Sequence, residues 1–326
     1  MKNILPISIV IPTMNRPRSL KRTIDKIMEC DNLPAQIVVV DQSNNEENKI
    51  NNRNTLKHYT ESILCSYIHL AKPSLTAARN IGTEACENDI IIHSDDDVDV
   101  KEDTILNVFE LMSNDNVSLI AGIDDNISTG KSKFGFFAYT KSYIKRNLGH
   151  VTLSIFGRFP ESNITTEVST EWAMGFFFVI RKSLLTKWNL AWDENLIKYA
   201  YAEDLDFSYS YYKLATKEMK SCIISPKVIV KHLVSQEHRT LSFEATMMYV
   251  LHREYISYKH FKSPISRLAT RWSNFFMIII RIFSRKAPLD MIKAQYLCDK
   301  HRRELRKLNI PTKLFLIEKE TSTDFS

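Results

Sequence analysis

The first hundred residues alternate short, continuously apolar runs with stretches of helical period, and no other feature limits the fold as strongly. The apolar runs are ISIVI (7–11), QIVVV (36–40), SYIHL (66–70) and DIIIH (89–93). Between the first two, Leu20, Ile24, Ile27 and Met28 recur at helical spacing, as do Leu75, Ala78, Ile81 and Ala85 between the last two. Strands that are apolar on both faces and alternate with helices predict a mostly parallel central sheet flanked by helices, an α/β fold of Rossmann-like order. Ligands of such sheets gather at the carboxyl ends of the strands. Four polar segments occupy those ends: Thr13 to Arg16, Asp41 to Ser43, Lys72 to Ser74, and the aspartates after DIIIH.

The chain has only seven glycines, and its first strand-to-helix turn, IPTMNRPRSL, has none. That excludes the glycine-rich phosphate cradle of dinucleotide folds and P-loops. After residue 101 the alternation loosens. A helix is expected near 101–113, a strand at VSLIAG, and a strand entering a helix at AMGFFFVIRKSLL, while 123–170 is polar and aromatic without a clear period. From about 242 to 308 the pattern is helical, and Pro264 and Pro288 divide it into three helices.

Charge is unevenly placed. Residues 251–310 hold fourteen basic and four acidic side chains, whereas residues 1–250 hold 28 and 31. The basic part could meet an acidic surface such as membrane phospholipid. Arg267, Arg271, Asn274, Arg281 and Arg285 form one polar stripe, with Leu268, Trp272, Phe275, Phe276, Ile279 and Phe283 elsewhere around the helix. Such a helix reads as a peripheral membrane-surface element, or as a helix packed on the rest of the protein with a solvated basic face. Nucleic acid is not expected as a partner, since no reader motif occurs. The five cysteines are scattered without a CxxC pair, which fits a reducing, cytoplasmic setting. The N-terminal apolar run is broken by Pro6 and Pro12, too short for a signal peptide, and no run reaches bilayer length.

Residues 90–100, IIIHSDDDVDV, end an apolar strand in Asp95, Asp96 and Asp97, with Asp99 close behind. Carboxylates so close repel one another unless a cation is present, and Asp-x-Asp offers hard oxygen ligands to Mn²⁺ or Mg²⁺. An acidic helix cap, with Asp99 or Asp103 before the helix near Lys101, is the plainer alternative.

Other segments extend the pattern. IVIPTMNRPRSLKRTI, IVVVDQSN, SLTAARNIGTEACENDIIIHSDDDV and AMGFFFVIRKSLL…WDENLIKYAYAEDLDFSYSYY occur in order over roughly residues 5–235. Together they resemble the family 2 glycosyltransferases of GT-A fold, of the type that builds bacterial surface polysaccharide. The resemblance implies transfer of a sugar, with inversion, from a nucleotide-sugar donor, with a UDP-sugar expected, to a hydroxyl of a growing glycan or lipid-linked acceptor. It also implies a catalytic domain over 1–240, with a nucleotide-binding half to about residue 100 and an acceptor half beyond it. Residues 241–326 form a helical C-terminal extension, placed at the cytoplasmic face of the inner membrane if it binds lipid.

Matched residue by residue, the resemblance makes Asp97 a metal ligand, with Asp95 reaching the metal or the ribose and Asp96 beside them in the nucleotide-sugar site. Pro12, Thr13, Asn15, Arg16 and Asp41 match segments that hold base and ribose, although Gln42 replaces a common glycine and Asp41 could be a turn residue. Arg79 and Asn80 match a segment that faces the diphosphate; a surface arginine is the alternative. Glu203 and Asp204 match the pair whose second member is the general base, an acidic first turn of a helix being the alternative. Trp172 and Gly175 match the acceptor border, though Trp172 could equally be core. His232 matches a histidine that approaches the metal, or else is structural. Two other classes remain: a sugar nucleotidyltransferase, against which the missing glycine signature counts, and a non-catalytic nucleotide-sugar-binding or membrane scaffold protein, against which the two carboxylate pairs count.

Overall fold

The computed structural model describes residues 2–126, 148–160, 164–197, 200–234, 242–284 and 287–308. Half of the 123–170 stretch, the boundary expected at 240/241 and Arg285 lie outside the described residues.

The first half is built as the alternation predicts: β1 (Asn3–Thr13), α1 (Pro17–Glu29), β2 (Asn32–Asp41), α2 (Glu46–Lys57), β3 (Leu64–His69), α3 (Leu75–Glu84) and β4 (Ile90–Ser94). The four strands pair in parallel in the order β3-β2-β1-β4. Pro17 opens α1, where a missing N–H costs nothing. Ser74 caps α3 by accepting from the Ala77 N–H, and Asn45 caps α2 by accepting from Glu47. Helix α2 escaped the periodicity reading because it buries only Asn52 and Leu56.

Then follow β5 (Val98–Asp99), α4 (Thr104–Met112), β6 (Val117–Asp124), β7 (Val168–Ser169), β8 (Phe177–Arg181), α5 (Lys182–Trp188), α6 (Glu203–Lys217) and β9 (Ser221–His232). They extend the sheet as β4-β8-β6-β9-β5, with β7 on β9. Strand β8 is antiparallel to both β4 and β6, while β6 and β9 are parallel. Its direction matters for function. An antiparallel β8 brings its amino end, not its carboxyl end, to the carboxyl end of β4, pairing Phe177 with Ser94. The Asp95 N–H continues the pairing to the Phe176 carbonyl at 2.9 Å.

Alternation along β1 sends Ile7, Ile9 and Ile11 to one face and Val10 to the other. The first face packs on α1 and α4 through Leu20, Ile24, Ile105 and Val108. The second packs on α3 and α6, and its cluster continues into the C-terminal helices through Val250, Leu251, Met291 and Cys298. These helices are α7 (Ser242–His260), α8 (Pro264–Phe283), α9 (Pro288–Lys300) and the short α10 (Arg302–Lys307). Pro264 and Pro288 begin α8 and α9, as predicted.

Helix α8 is oriented the opposite way to a helix with a solvated basic face. Its buried residues are Ser266, Thr270, Ser273 and Asn274. Arg271 pairs with Glu254 and Asp299, Arg281 donates to the Thr246 hydroxyl at 2.8 Å, and Arg267 donates to the Phe261 carbonyl at 3.2 Å. The polar stripe faces the protein, and Leu268, Trp272, Phe275 and Phe283 are exposed.

Candidate active site

The three aspartates follow β4 in the turn that leads into β5, and each meets different partners. Asp96 turns into the protein, accepting from the Thr13 hydroxyl at 2.6 Å and pairing with Arg16 at 3.1 Å. Burial pushes its carboxyl up to about 7, against the pull of Arg16 and Thr13. Asp95 and Asp97 approach the end of β9. There the last residue of β9, His232, faces Asp97 at 3.2 Å, and the Phe176 ring stacks on the imidazole at 5.2 Å between centroids. Ligand atoms of Asp95, Asp97 and His232 lie within 4.8 Å of one another. Two hard carboxylates and an imidazole, with no thiolate among them, form a donor set that fits Mn²⁺ or Mg²⁺. Burial disfavours the imidazolium, but the Asp97 hydrogen bond and nearby carboxylates hold His232 above the usual histidine range.

The loop after β1 sits beside this cluster. Arg16 bridges Asp96 and Asp97, at 3.1 and 3.3 Å. Pro12 and Thr13 stay in the ladder opposite Val40 and Asp41. Asn15 turns the chain at φ 55°; its N–H donates to the Ser43 hydroxyl at 2.8 Å, and its side-chain oxygen accepts from the Asn44 N–H at 3.2 Å. Asp41 is fully buried and accepts from the Ser43 N–H, the Asn52 amide and the Tyr67 hydroxyl, each at 2.8 Å. It organises the turn from inside.

Arg79, on α3, is 1% exposed and is no surface arginine. Its guanidinium donates to Glu203 at 2.7 Å, to Asp95 at 3.2 Å and to the Gly175 carbonyl at 3.0 Å, and lies over the Trp192 ring at 4.6 Å. Asn80, one residue on, turns away and fastens the Trp192 segment: it donates to the Trp192 carbonyl at 3.1 Å and accepts from the Trp192 N–H at 2.8 Å. Glu203 and Asp204 open α6 after Ala200 and Ala202, both in the left-handed region at φ 50° and 63°. Glu203 is buried, and burial together with Asp204's charge pushes it up to about 8 while Arg79 pulls it down. Asp204 is partly exposed; its Oδ2 accepts from the Gly175 N–H at 2.8 Å and its Oδ1 from the Leu205 N–H at 2.7 Å. Burial raises its carboxyl, against those two N–H groups and Arg79.

Of these groups, Asp95, Arg79, Glu203, Asp204 and His232 line one cleft of ≈ 370 Å³, together with Trp172 and Gly175. Trp172 is 7% exposed, with its indole against Gly157 and Phe159. A larger hollow of ≈ 560 Å³ between α1 and α2 is lined by neither carboxylate set, and the chemistry points to the smaller cleft.

Residues 8–187 match the family described as glycosyl transferase family 2. The chain belongs to that family. No curated protein matches it. Among solved structures it is similar to TarS 1–349 of S. aureus in complex with UDP-GlcNAc, at 14% identity and TM-score 0.55, covering 94% of this chain and 89% of that one. It is also similar to the mannosyltransferase PcManGT of Pyrobaculum calidifontis in complex with GDP-Man and Mn²⁺, at 12% identity and TM-score 0.54, covering 95% and 86%. GalNAc-T7 with UDP, GalNAc and Mn²⁺ is similar at 16% identity and TM-score 0.55, over 83% of this chain and 55% of that one. The shared architecture is the GT-A fold, here with a C-terminal helical segment.

Several residues of the cleft are not singled out by the sequence. Phe176 backs the imidazole, while Tyr201 and Phe156 line the cleft. Tyr201 stands two residues before the Glu-Asp pair and could have been found from that proximity. Phe156 lies in a stretch without period and gave no signal. Asp206, two residues beyond the pair, is 1% exposed and paired with Lys259 and His260 of α7, each at 2.7 Å.

Proposed function

We propose that this glycosyltransferase moves a sugar from a nucleoside diphosphate donor, a UDP-sugar first among those to test, to an acceptor hydroxyl with inversion. The observation that carries the reading is the position of Arg79, which joins Asp95 on one wall of the cleft to Glu203, beside Asp204, on another. An inverting displacement needs a base on the face opposite the departing diphosphate. Asp204 suits that role: it reaches the cleft, two backbone N–H groups aim it, and a carboxylate so held keeps lone pairs for an acceptor hydroxyl proton. Glu203, deeper, keeps Arg79 in place.

Asp97, Asp95 and His232 would hold the divalent cation, Mn²⁺ or Mg²⁺. Bound there, it supplies a Lewis acid for the charge that grows on the leaving diphosphate. Arg16 and Arg79 add permanent positive charge for the phosphates. Thr13, Asn15, Arg16 and the turn organised by Asp41 form the nucleoside wall, with Pro12 and Asp96 behind them, and Trp172 and Gly175 border the acceptor. Similar folds solved with UDP, UDP-GlcNAc and GDP-Man support a nucleotide donor. The acceptor is read as a growing glycan or lipid-linked oligosaccharide at a cytoplasmic membrane face, with residues 1–240 as catalytic unit and 241–326 as extension.

Calorimetric titration with UDP, GDP, dTDP and CMP, each with and without Mn²⁺, tests the reading. One diphosphate is expected to bind only with metal, and Asp97→Ala to abolish that binding. Asp204→Asn should bind the same nucleotide and lose transfer. Full transfer by that variant would remove Asp204 from its role.

A further inference from the structure

The C-terminal helices expose a run of apolar side chains. Helix α8 exposes Ile265, Leu268, Trp272, Phe275 and Phe283 at 51–78% of their surface. Successive members of this set are three, four, three and eight residues apart, so they lie along one face of a twenty-residue helix. Helix α9 continues the theme, exposing Leu289, Ile292 and Tyr296 beside an exposed Lys293. Both helices pack on α7 and on each other. Water-exposed aromatic and aliphatic side chains in this number mark an interaction site.

The polar side of α8 is already satisfied. Its arginines are spent on Glu254, Asp299, Thr246 and main-chain carbonyls, and Asn274 accepts from Arg253 at 2.9 Å and donates to Gln295 at 2.9 Å. The apolar side is the one presented outward.

Charge on the C-terminal helices selects the occupant. Lys262, Lys293, Arg302, Arg303, Arg306 and Lys307 are exposed. Of the four acids in 251–310, Glu254 is buried and Asp299 is paired with Arg271. A second copy docked about a twofold axis would set this basic region against itself. An anionic surface complements it. Lysine and arginine stems can lie along the apolar face with their charges in the headgroup layer, beside tryptophan and tyrosine at the same depth. Among the described residues no helix is long and apolar enough to cross a membrane, so the helix would lie in the interface.

We propose that the outer face of α8 and α9 docks on the surface of an anionic lipid bilayer. The test uses the full chain and sedimentation with vesicles of phosphatidylglycerol and phosphatidylethanolamine, against vesicles of phosphatidylcholine alone, with light scattering of the free protein alongside. Binding is expected to the anionic vesicles, weakened by salt and by Lys293→Glu. Trp272→Ser combined with Phe275→Ser should lower it by about tenfold or more. Ile50→Ser, an equally exposed apolar residue on α2, should leave it unchanged. Should the double variant melt early, Leu268→Gln and Leu289→Gln replace it. Three outcomes overturn the proposal: no sedimentation with either vesicle, binding indifferent to all the apolar substitutions, or a dimer without vesicle affinity that Trp272→Ser dissociates.

Discussion

The Arg79 guanidinium donates to the Glu203 carboxylate at 2.7 Å across 124 residues of chain, and both side chains are almost fully withdrawn from water. Removing Arg79 leaves the Glu203 carboxyl, and removing Glu203 leaves the Arg79 guanidinium, without its buried partner. Arg79→Met is expected to cost about 3–5 kcal/mol in urea unfolding. Adding Glu203→Gln should recover most of that loss and none of the transfer activity. If the double variant is no more stable than the single one, the pair is not coupled as described.

Gly175 leaves little room for a side chain. A Cβ there would stand 3.0 Å from Arg79 Nη2 and 3.2 Å from Asp204 Cβ. Gly175→Ala should therefore shift the base by a fraction of an ångström and lower kcat by up to about a hundredfold, with little change in nucleotide affinity. Steady-state kinetics beside nucleotide titration separates the two effects.

Asp206 ties the fold to α7 through a group whose titration can be followed. Burial works against its carboxylate, but Lys259 and His260 overcome that and hold it at about 2 in the folded protein. An unfolded aspartate titrates near 3.9, so the folded value is depressed. The stabilisation is then complete above about pH 5 and is lost as the pH falls through about 2, on the order of 2 kcal/mol. Urea unfolding at a series of pH values should show that loss in the native chain. In Asp206→Asn the slope in the same window should flatten, with lower stability at neutral pH.

Metal dependence should follow the donor set. Mn²⁺ titration read by electron paramagnetic resonance, in the presence of the nucleotide that binds, should weaken by at least about tenfold in His232→Gln and vanish in Asp97→Ala. Asp99→Ala should not alter it, because Asp99 faces Arg22 at 2.5 Å and lies outside the donor set. Chelation should remove nucleotide binding from the native chain and leave its far-ultraviolet circular dichroism intact.

The half of the fold that alternation builds was legible. Strands β1, β2 and β4 and helix α1 bury apolar faces, and burial writes periodicity into sequence. Helix α2 was not legible, because it buries two side chains and is held by an asparagine cap. The direction of β8 was not legible either: its four apolar residues read alike in both directions, and only the pairing with β4 reveals that 172–176 meets the aspartates. In the site, the carboxylates and Arg79 could be named from their motif positions. That Asn80 would fasten Trp192, or that Asp41 would be sealed inside its turn, depends on partners 112 and 26 residues away. The basic stripe of α8 was visible as a stripe, but sequence does not say which side of an amphipathic helix meets protein. Glu254, Asp299 and Thr246 decide that.

Ala200 and Ala202 bracket the turn into α6 in a backbone region that glycine occupies freely. Glycine at either position would relieve about 1 kcal/mol of that cost, and would hand a comparable freedom to the unfolded chain. Thermal melting would hardly register the change. The angular play of the two carboxylates that follow would. With alanine the turn is a bracket; with glycine it becomes a hinge. A mutational screen that scores only folding would pass over these two positions, whereas one that scores transfer would find them beside Glu203 and Asp204.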